Sequence, residues 1–157
     1  MTTELPVILM ADDSENDTEL VLEALTESKL ANRVVIARNG VEALDFLFRR
    51  GKFSEYKGPN PALFLLDIKM PKLNGLDVLR RMRDVPEFAN IPVVVLSSSR
   101  EEADLKEARR LGAVAYIVKP VGFEDFMEAT KIAGRFWGIL NAFSEIESRE
   151  TRARNTT

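Results

Sequence analysis

Residues that could do chemistry follow four of the five short apolar stretches in this chain. Asp12 and Asp13 come directly after the first stretch, and Asp67 comes directly after the third. Ser97 follows the fourth stretch and Lys119 follows the fifth. Carboxylates bind hard cations such as Mg²⁺, while a hydroxyl and an ammonium can bind the oxygens of an anionic group. The sequence therefore offers the parts of a metal-assisted site, provided that the fold brings them together.

Each of these residues also has an ordinary explanation when it is taken alone. An acidic pair after a strand is often a helix cap or part of a solvated loop, and a single aspartate there is usually a turn residue. Lys119 could be a surface lysine, and Ser97 is the first of three consecutive serines. The functional hypothesis rests on the joint occurrence of these residue types at four separate strand ends.

The apolar stretches are short, continuous and rich in Val, Ile and Leu, which predicts strands buried on both faces of a parallel sheet. They are Pro6–Ala11, Val34–Ala37, Ala62–Leu66, Ile91–Leu96 and Ala113–Val118. Helical patterns alternate with them, over Ser14–Lys29, after a capping Asn39, and over Leu76–Arg83, Arg100–Leu111 and Phe123–Leu140. Ser14 and Asp17 are spaced as partners in a capping box. The alternation predicts an open, doubly wound α/β fold with right-handed crossovers.

In such a fold the carboxyl ends of the strands share one edge, where ligands bind at a switch point in the strand order. Clustered carboxylates repel one another unless a cation lies among them, and Mg²⁺ suits an all-oxygen site. Asp67 could then act as a nucleophile and form an aspartyl phosphate. Lys119 would neutralise charge on the transferring group, and Ser97 would hydrogen-bond one of its oxygens.

Composition excludes several other kinds of chemistry. The 157 residues fit one domain and include neither cysteine nor histidine, so disulfides, zinc–thiolate sites and histidine-based catalysis are ruled out. A net charge of −3 is unlike that of a nucleic-acid-binding domain. The apolar N-terminal stretch is too short for a secretory signal or a membrane helix. We therefore expect a cytoplasmic protein that binds neither nucleic acid nor membrane.

Taken together, the motifs resemble the receiver domain of two-component response regulators. The resemblance is carried by Asp12-Asp13, by the segment Asp67–Pro71 (DIKMP) followed by Asn74-Gly75, and by Ser97 and Lys119-Pro120. It covers roughly residues 5–140 and implies a CheY-like, flavodoxin-like fold. That fold has a five-stranded parallel sheet in the order 2-1-3-4-5 and five flanking helices. We expect a receiver domain over residues 1–140 and a helical extension with a polar tail over 141–157.

The resemblance implies a role for each site residue. Asp67 would be the phosphoacceptor and would take a phosphoryl group from a sensor histidine kinase. Mg²⁺, or Mn²⁺ in its place, would be held by the carboxylates of Asp12, Asp13 and Asp67 and by the backbone carbonyl of Lys69. Such a protein is a phosphoacceptor switch with self-catalysed phosphoryl uptake and loss, and not an enzyme with a separate substrate.

The resemblance also implies how the switch works. Ser97 and Lys119 would contact the phosphoryl group. This group carries a charge of about −1.5 to −2 and would draw Ser97 inward. Tyr116 on the fifth strand would then turn into the vacated space. The Lys119-Pro120 peptide bond is expected to be cis.

Features outside the site resemble one subgroup of the family. The long loop Gly51–Pro61, the stretch Arg83–Ser99 and the absence of an output domain are similar to single-domain response regulators that pair with bacterial phytochrome histidine kinases. This similarity implies a bacteriophytochrome kinase as the partner and a role in light signalling.

The last predicted helix has more apolar surface than one buried face requires. Its two stripes consist of Phe126, Thr130, Ala133, Trp137 and Leu140, and of Ile132, Phe136, Ile139, Phe143 and Ile146. The second stripe has the spacing of a short coiled-coil seam. We expect the protein to form a homodimer through this second stripe and the strand-5 side of the domain. The alternative is that the stripe folds back onto its own domain.

Two other functions remain open from the residues. Phosphatases of the haloacid dehalogenase type also use an aspartate nucleophile and Mg²⁺, but they need a second aspartate two residues later, where this chain has Lys69. A pseudo-receiver would be a binding module that never takes up phosphate, which the full acidic set disfavours.

Overall fold

The computed structural model describes residues 7–27, 34–119 and 124 of the chain. Five strands and four helices alternate within these residues. The strands are β1 (Ile8–Ala11), β2 (Val34–Ala37), β3 (Leu63–Leu66), β4 (Val93–Ser97) and β5 (Ala115–Val118). The helices are α1 (Glu15–Glu27), α2 (Gly40–Phe48), α3 (Gly75–Arg83) and α4 (Glu102–Arg110). Apart from residue 124, the predicted helix Phe123–Leu140, the tail over 141–157 and the proposed dimer seam lie outside the described residues.

The sheet has the predicted order β2-β1-β3-β4-β5, and every neighbouring pair is parallel. Ala11 at the end of β1 pairs with Ala37 on one side and with Leu66 on the other. Consequently the residues that follow these strands, Asp12 and Asp67, leave the sheet side by side. The doubly wound α/β fold expected from the apolar stretches is confirmed.

Alternate residues of each strand point into two separate cores. Ile8 and Met10 of β1 belong to a cluster that also receives Val21 of α1. Leu9 and Ala11 belong to a larger cluster on the opposite face, to which α2, α3 and α4 all contribute buried side chains. The continuous apolar character of the strands follows from this burial on both faces.

The ends of several elements differ from the sequence prediction. Ser97 is the last residue of β4 and not the first residue after it. Helix α4 begins at Glu102 instead of the predicted Arg100, because the Ser99 hydroxyl accepts the Glu101 N–H at 3.3 Å in a turn. The predicted cap of α2 is present, since Oδ1 of Asn39 accepts a backbone N–H of the first turn at 2.8 Å. In the described parts of the chain, no helix has the length and apolar character needed to cross a membrane.

Candidate functional site

Backbone hydrogen bonds carry the parallel ladder past the strand ends and fix the residues that follow. The Asp12 N–H donates to the carbonyl of Ala37 at 3.0 Å, and the Asp67 N–H donates to the carbonyl of Ala11 at 2.9 Å. On the other side of β4, the Lys119 N–H donates to the carbonyl of Ser97 at 2.9 Å. The sheet itself therefore sets the backbone positions of the predicted site residues.

Three carboxylates meet at this edge of the sheet. Asp12, Asp13 and Asp67 each offer an oxygen, and these oxygens lie within 4.8 Å of one another. Asp12 and Asp67 are buried, with 1% and 5% of their surface exposed, whereas Asp13 is exposed. Two of the carboxylates thus lie in the protein and the third faces solvent, from which a cation can enter.

Lys119 is the cation that the structure places among these acids. Its Nζ donates to Oδ2 of Asp12 at 2.6 Å and to Oδ2 of Asp67 at 3.1 Å. It also donates to Oδ2 of Asp17 at 2.8 Å. Only 9% of the lysine side chain is exposed. Because these contacts are shielded from water, each is stronger than the same pair would be on the surface.

The cluster changes the acidity of its members. Burial raises the pKa of Asp67 to about 6, and the nearby Asp12 charge adds to the rise, while Lys119 opposes it. Burial lowers the pKa of Lys119, but its hydrogen bonds to Asp12 and Asp17 outweigh that effect and the net shift is upward. The lysine therefore stays charged at neutral pH, and the Asp67 carboxylate is ionised there at a cost in stability.

Asp17 is a member of the pocket that the sequence analysis assigned to a different task. A capping box would have its carboxylate reach back to the Ser14 N–H, but that N–H donates to Oδ1 of Asp12 at 2.9 Å. Only half of the predicted box is present, since the Ser14 hydroxyl does accept the Asp17 N–H at 3.2 Å. Asp12 thus takes over the return bond, and the Asp17 carboxylate is free to contact Lys119. The feature of the sequence that could have indicated this role is the position of Asp17 in the first turn of the helix that follows the Asp12-Asp13 pair.

The loop after β3 holds Asp67 from the other side. The Lys69 N–H lies 3.4 Å from Oδ1 of Asp67, and the Lys69 side chain is exposed. The Gly75 N–H donates to the carbonyl of Ile68 at 2.7 Å, and Asn74 caps α3 by accepting the Asp77 N–H at 3.0 Å. The start of α3 is therefore joined directly to the backbone of the loop that carries the acceptor.

Ser97, Ser99 and Tyr116 form a hydrogen-bonded set beside the carboxylates. Oγ of the fully buried Ser97 accepts the Ser99 N–H at 3.2 Å. The hydroxyl of Tyr116 donates to the Ser99 carbonyl at 2.9 Å. Burial raises the pKa of Tyr116, so the phenol remains a donor at neutral pH. Ser97 and Tyr116 therefore hold the same loop, from β4 and β5 respectively.

The donor set fits Mg²⁺ or Mn²⁺. Three carboxylate oxygens converge, all are hard ligands, and one of them faces solvent, so a bound ion could keep several of its waters. The Lys69 carbonyl stands in the same loop as Asp67 and would be the backbone ligand. Among the described residues no nitrogen or sulfur ligand joins this group of acids, which favours these ions over Zn²⁺.

Comparison with known proteins agrees with this fold and site. A model of the response regulator receiver domain matches residues 8–131, and the chain belongs to this family, the receivers of two-component systems. The response regulator Rcp1 of Synechocystis sp. is 34% identical over 131 residues, which cover 83% of this chain and 88% of Rcp1. As receiver domains do, the chain is expected to interact with histidine kinases.

Two solved structures are informative. The bacteriophytochrome response regulator RtBRR is 42% identical, covers 96% of each chain and superposes with a TM-score of 0.77. The Mn²⁺-bound form of Rcp1 is 34% identical over 82% of this chain and 90% of its own, with a TM-score of 0.69. Phytochrome-associated response regulators are thus close relatives of this protein, and one of them binds a divalent ion.

Proposed function

We propose that this protein is a phosphorylation switch that accepts a phosphoryl group on Asp67 in a Mg²⁺-dependent reaction. The single observation that carries the proposal is the position of the Asp67 carboxylate. It is buried beside Asp12 and Asp13 and lies 3.1 Å from the Lys119 ammonium. A buried carboxylate with a matched cation and a candidate metal site is poised to act as a nucleophile on an anionic group.

The chemistry requires a donor from outside the chain, which has no histidine. An Asp67 oxygen attacks the phosphorus of a phosphohistidine on the kinase, so an O–P bond forms while the N–P bond breaks. The imidazole leaves and takes up a proton. Lys119 binds an oxygen of the phosphoryl group and offsets its charge. Mg²⁺, held by Asp12, Asp13, Asp67 and the Lys69 carbonyl, would supply further neutralisation of that charge.

Ser97 and Tyr116 are proposed to relay the event. Oγ of Ser97 accepts the Ser99 N–H, so the Ser97 O–H stays available to donate to a phosphoryl oxygen, and drawing the hydroxyl inward would lengthen its bond to Ser99. Tyr116 holds the carbonyl of the same Ser99. A shift of the loop around Ser99 would therefore be felt at Tyr116, and the ring is partly exposed to a partner on the β5 side.

Phosphoryl uptake is tested with acetyl phosphate and intact-protein mass spectrometry. The wild-type chain should gain one phosphoryl group with Mg²⁺ and none with EDTA, and Asp67→Asn should gain none. Asp84→Asn is a matched control, because Asp84 is an exposed aspartate at the end of α3. It should be phosphorylated like the wild type. Equal uptake by Asp67→Asn, or no uptake by the wild type with any donor, would count against the proposal.

We propose a bacteriophytochrome histidine kinase as the donor, and light signalling as the setting. The proposal is supported by the similarity to RtBRR and Rcp1 over most of their lengths. Phosphotransfer profiling with a panel of purified, autophosphorylated kinases tests it. Transfer from phytochrome kinases should be faster than from the other kinases by about tenfold or more, which corresponds to a difference of about 1.4 kcal/mol in the barrier. Equal rates across the panel would refute the proposal that a bacteriophytochrome kinase is the donor.

We also propose a homodimer that uses the β5 side of the domain and the last predicted helix. It is supported by Val114, which is 42% exposed just before β5, and by an apolar surface cavity of about 270 Å³ that Val114 and Tyr116 line with α4 residues. Sedimentation of the full chain and of a chain truncated after Leu140 provides the test. The full chain should sediment as a dimer and the truncated one as a monomer, and the same oligomeric state for both would count against a seam that includes Phe143 and Ile146.

A further inference from the structure

Asp17 is an acidic residue of the pocket to which the proposed function gives no task. Its Oδ2 lies 2.8 Å from Nζ of Lys119, almost as close as Oδ2 of Asp12 at 2.6 Å. The carboxylates that could share a metal ion are Asp12, Asp13 and Asp67, and Asp17 is not among them. The partner of Asp17 is therefore the lysine.

The helical turn that carries Asp17 is fixed by its own hydrogen bonds. The Asp17 N–H donates to the Ser14 hydroxyl at 3.2 Å, and the Ser14 N–H donates to Asp12 at 2.9 Å. The buried Thr18 hydroxyl donates to the carbonyl of Glu15 at 2.9 Å and accepts from the Arg38 guanidinium at 3.2 Å. Because this turn is tied to Asp12 and to the end of β2, the Asp17 carboxylate meets Lys119 from a defined position.

The number of donors on Lys119 makes Asp17 a competitor. An ammonium has three N–H donors, and the structure occupies all three with Asp12, Asp17 and Asp67. A phosphoryl oxygen can be bound by Lys119 only if one of these bonds is given up. Asp12 is a candidate metal ligand and Asp67 becomes part of the acyl phosphate. Asp17 has no second task among the described contacts, so its bond is the one to be exchanged.

We infer that Asp17 is a positioning residue that holds Lys119 in the unphosphorylated protein and competes with the phosphoryl group for it. The inference rests on the proposed function, because the competitor is the phosphoryl group on Asp67. The Asp17 side chain is 29% exposed, so its charge also faces an approaching anionic donor. Both effects have the same sign, since a neutral residue at position 17 releases Lys119 and repels the donor less.

The first test is a titration with beryllofluoride, an analogue of the phosphoryl group, at saturating Mg²⁺. Amide NMR shifts of the full chain report binding. Asp17→Asn keeps the shape and an acceptor but removes the charge, and its half-saturating concentration should fall roughly fivefold, the scale of one partly exposed charge. Glu15→Gln makes the same change of charge on an exposed residue of the same turn and is the matched control. It should bind like the wild type.

The second test is a double-mutant cycle for Mn²⁺ binding, which does not depend on phosphoryl uptake. Asp17→Asn, Lys119→Met and the double variant are titrated with Mn²⁺ and followed by electron paramagnetic resonance. Without Asp17, Lys119 should lie more fully on Asp12 and Asp67 and oppose the ion. The Asp17→Asn change should therefore weaken Mn²⁺ binding several-fold more when Lys119 is present than in the Lys119→Met background.

The two tests separate the inference from the proposed function. Tighter beryllofluoride binding by Asp17→Asn together with a coupled Mn²⁺ cycle supports both. A coupled Mn²⁺ cycle in a wild-type chain that never binds beryllofluoride overturns the phosphoacceptor function and leaves Asp17 as the restraint on Lys119. Beryllofluoride binding that is unchanged or weaker in Asp17→Asn overturns the competition, as does an additive Mn²⁺ cycle.

Discussion

Gly75, the first residue of α3, lies so close to the carbonyl oxygen of Asp67 that a side chain has no room there. A β carbon at position 75 would overlap that oxygen and the adjoining backbone of Ile68. The atoms in the way are backbone and not the end of a flexible side chain, so the overlap can be relieved only by moving the loop that carries the phosphoacceptor. The absence of a side chain at this position is therefore part of how Asp67 is placed.

Gly75→Ala should lower the free energy of unfolding by about 1–3 kcal/mol, the usual cost of overpacking, and should weaken Mn²⁺ binding because Asp67 is displaced. Urea unfolding and a Mn²⁺ titration measure the two effects. In the control Gly58→Ala, the atoms nearest to the added carbon belong to the hydroxyl end of the Tyr56 side chain. That variant should bind Mn²⁺ like the wild type. Unchanged Mn²⁺ affinity in a folded Gly75→Ala protein would show that the contact does not position the site.

Lys119→Met should destabilise the metal-free protein by about 3 kcal/mol near pH 7.5, because it leaves buried carboxylates without their cation. Mg²⁺ should return part of this stability by replacing the lost charge. Urea unfolding in EDTA and in Mg²⁺ measures both quantities. Lys106→Met removes a lysine whose pair with Glu102 is mostly exposed, and it should change stability little. Equal losses in the two variants would mean that the buried cluster is not held together by charge.

The positions of Asp12, Asp67 and Lys119 could be predicted from the sequence because they depend on a single rule. Residues that follow parallel strands share one edge of the sheet, and each of the three follows an apolar stretch. The strand order also followed from the family resemblance. These parts of the site are properties of the backbone arrangement, which a pattern of apolar stretches largely determines.

The role of Asp17 could not be predicted in this way. Its spacing from Ser14 matches a capping box, and local spacing cannot reveal that Asp12 makes the return bond instead. Gly75 appeared only as part of a motif, since its contact with Asp67 depends on how closely α3 approaches β3. The predicted dimer seam lies outside the described residues and stays a prediction.

Asp67→Asn should be more stable than the wild type at pH 7.5 in EDTA. The pKa of Asp67 is about 6 in the folded protein, above its ordinary value of 3.8. The folded state therefore holds this proton more tightly, and stability falls as pH rises from about 4 through 6. Above that range the ionised carboxylate costs about 3 kcal/mol, which asparagine avoids. The difference between the two proteins in urea unfolding should vanish near pH 4, and a difference independent of pH would refute the explanation.

Tyr116→Phe should cost about 1 kcal/mol of stability, because the Ser99 carbonyl loses its donor. It should also reduce the shift of the Ser99 amide resonance when beryllofluoride binds, because residue 116 no longer has a hydroxyl that holds that loop. Tyr56→Phe is the matched control, as its hydroxyl donates to the Pro59 carbonyl at 2.9 Å in the loop before β3. Its beryllofluoride response should equal that of the wild type. A full response in Tyr116→Phe would exclude the tyrosine from the relay.

The identity of the phosphorylated residue tests the central claim most directly. Borohydride reduces an aspartyl phosphate to homoserine, so the protein is treated with acetyl phosphate and Mg²⁺, reduced, digested and sequenced by mass spectrometry. We predict homoserine at position 67 and unmodified aspartate at positions 12, 13 and 17. Homoserine at one of those other positions, with Asp67 intact, would contradict the assignment of Asp67 as the phosphoacceptor.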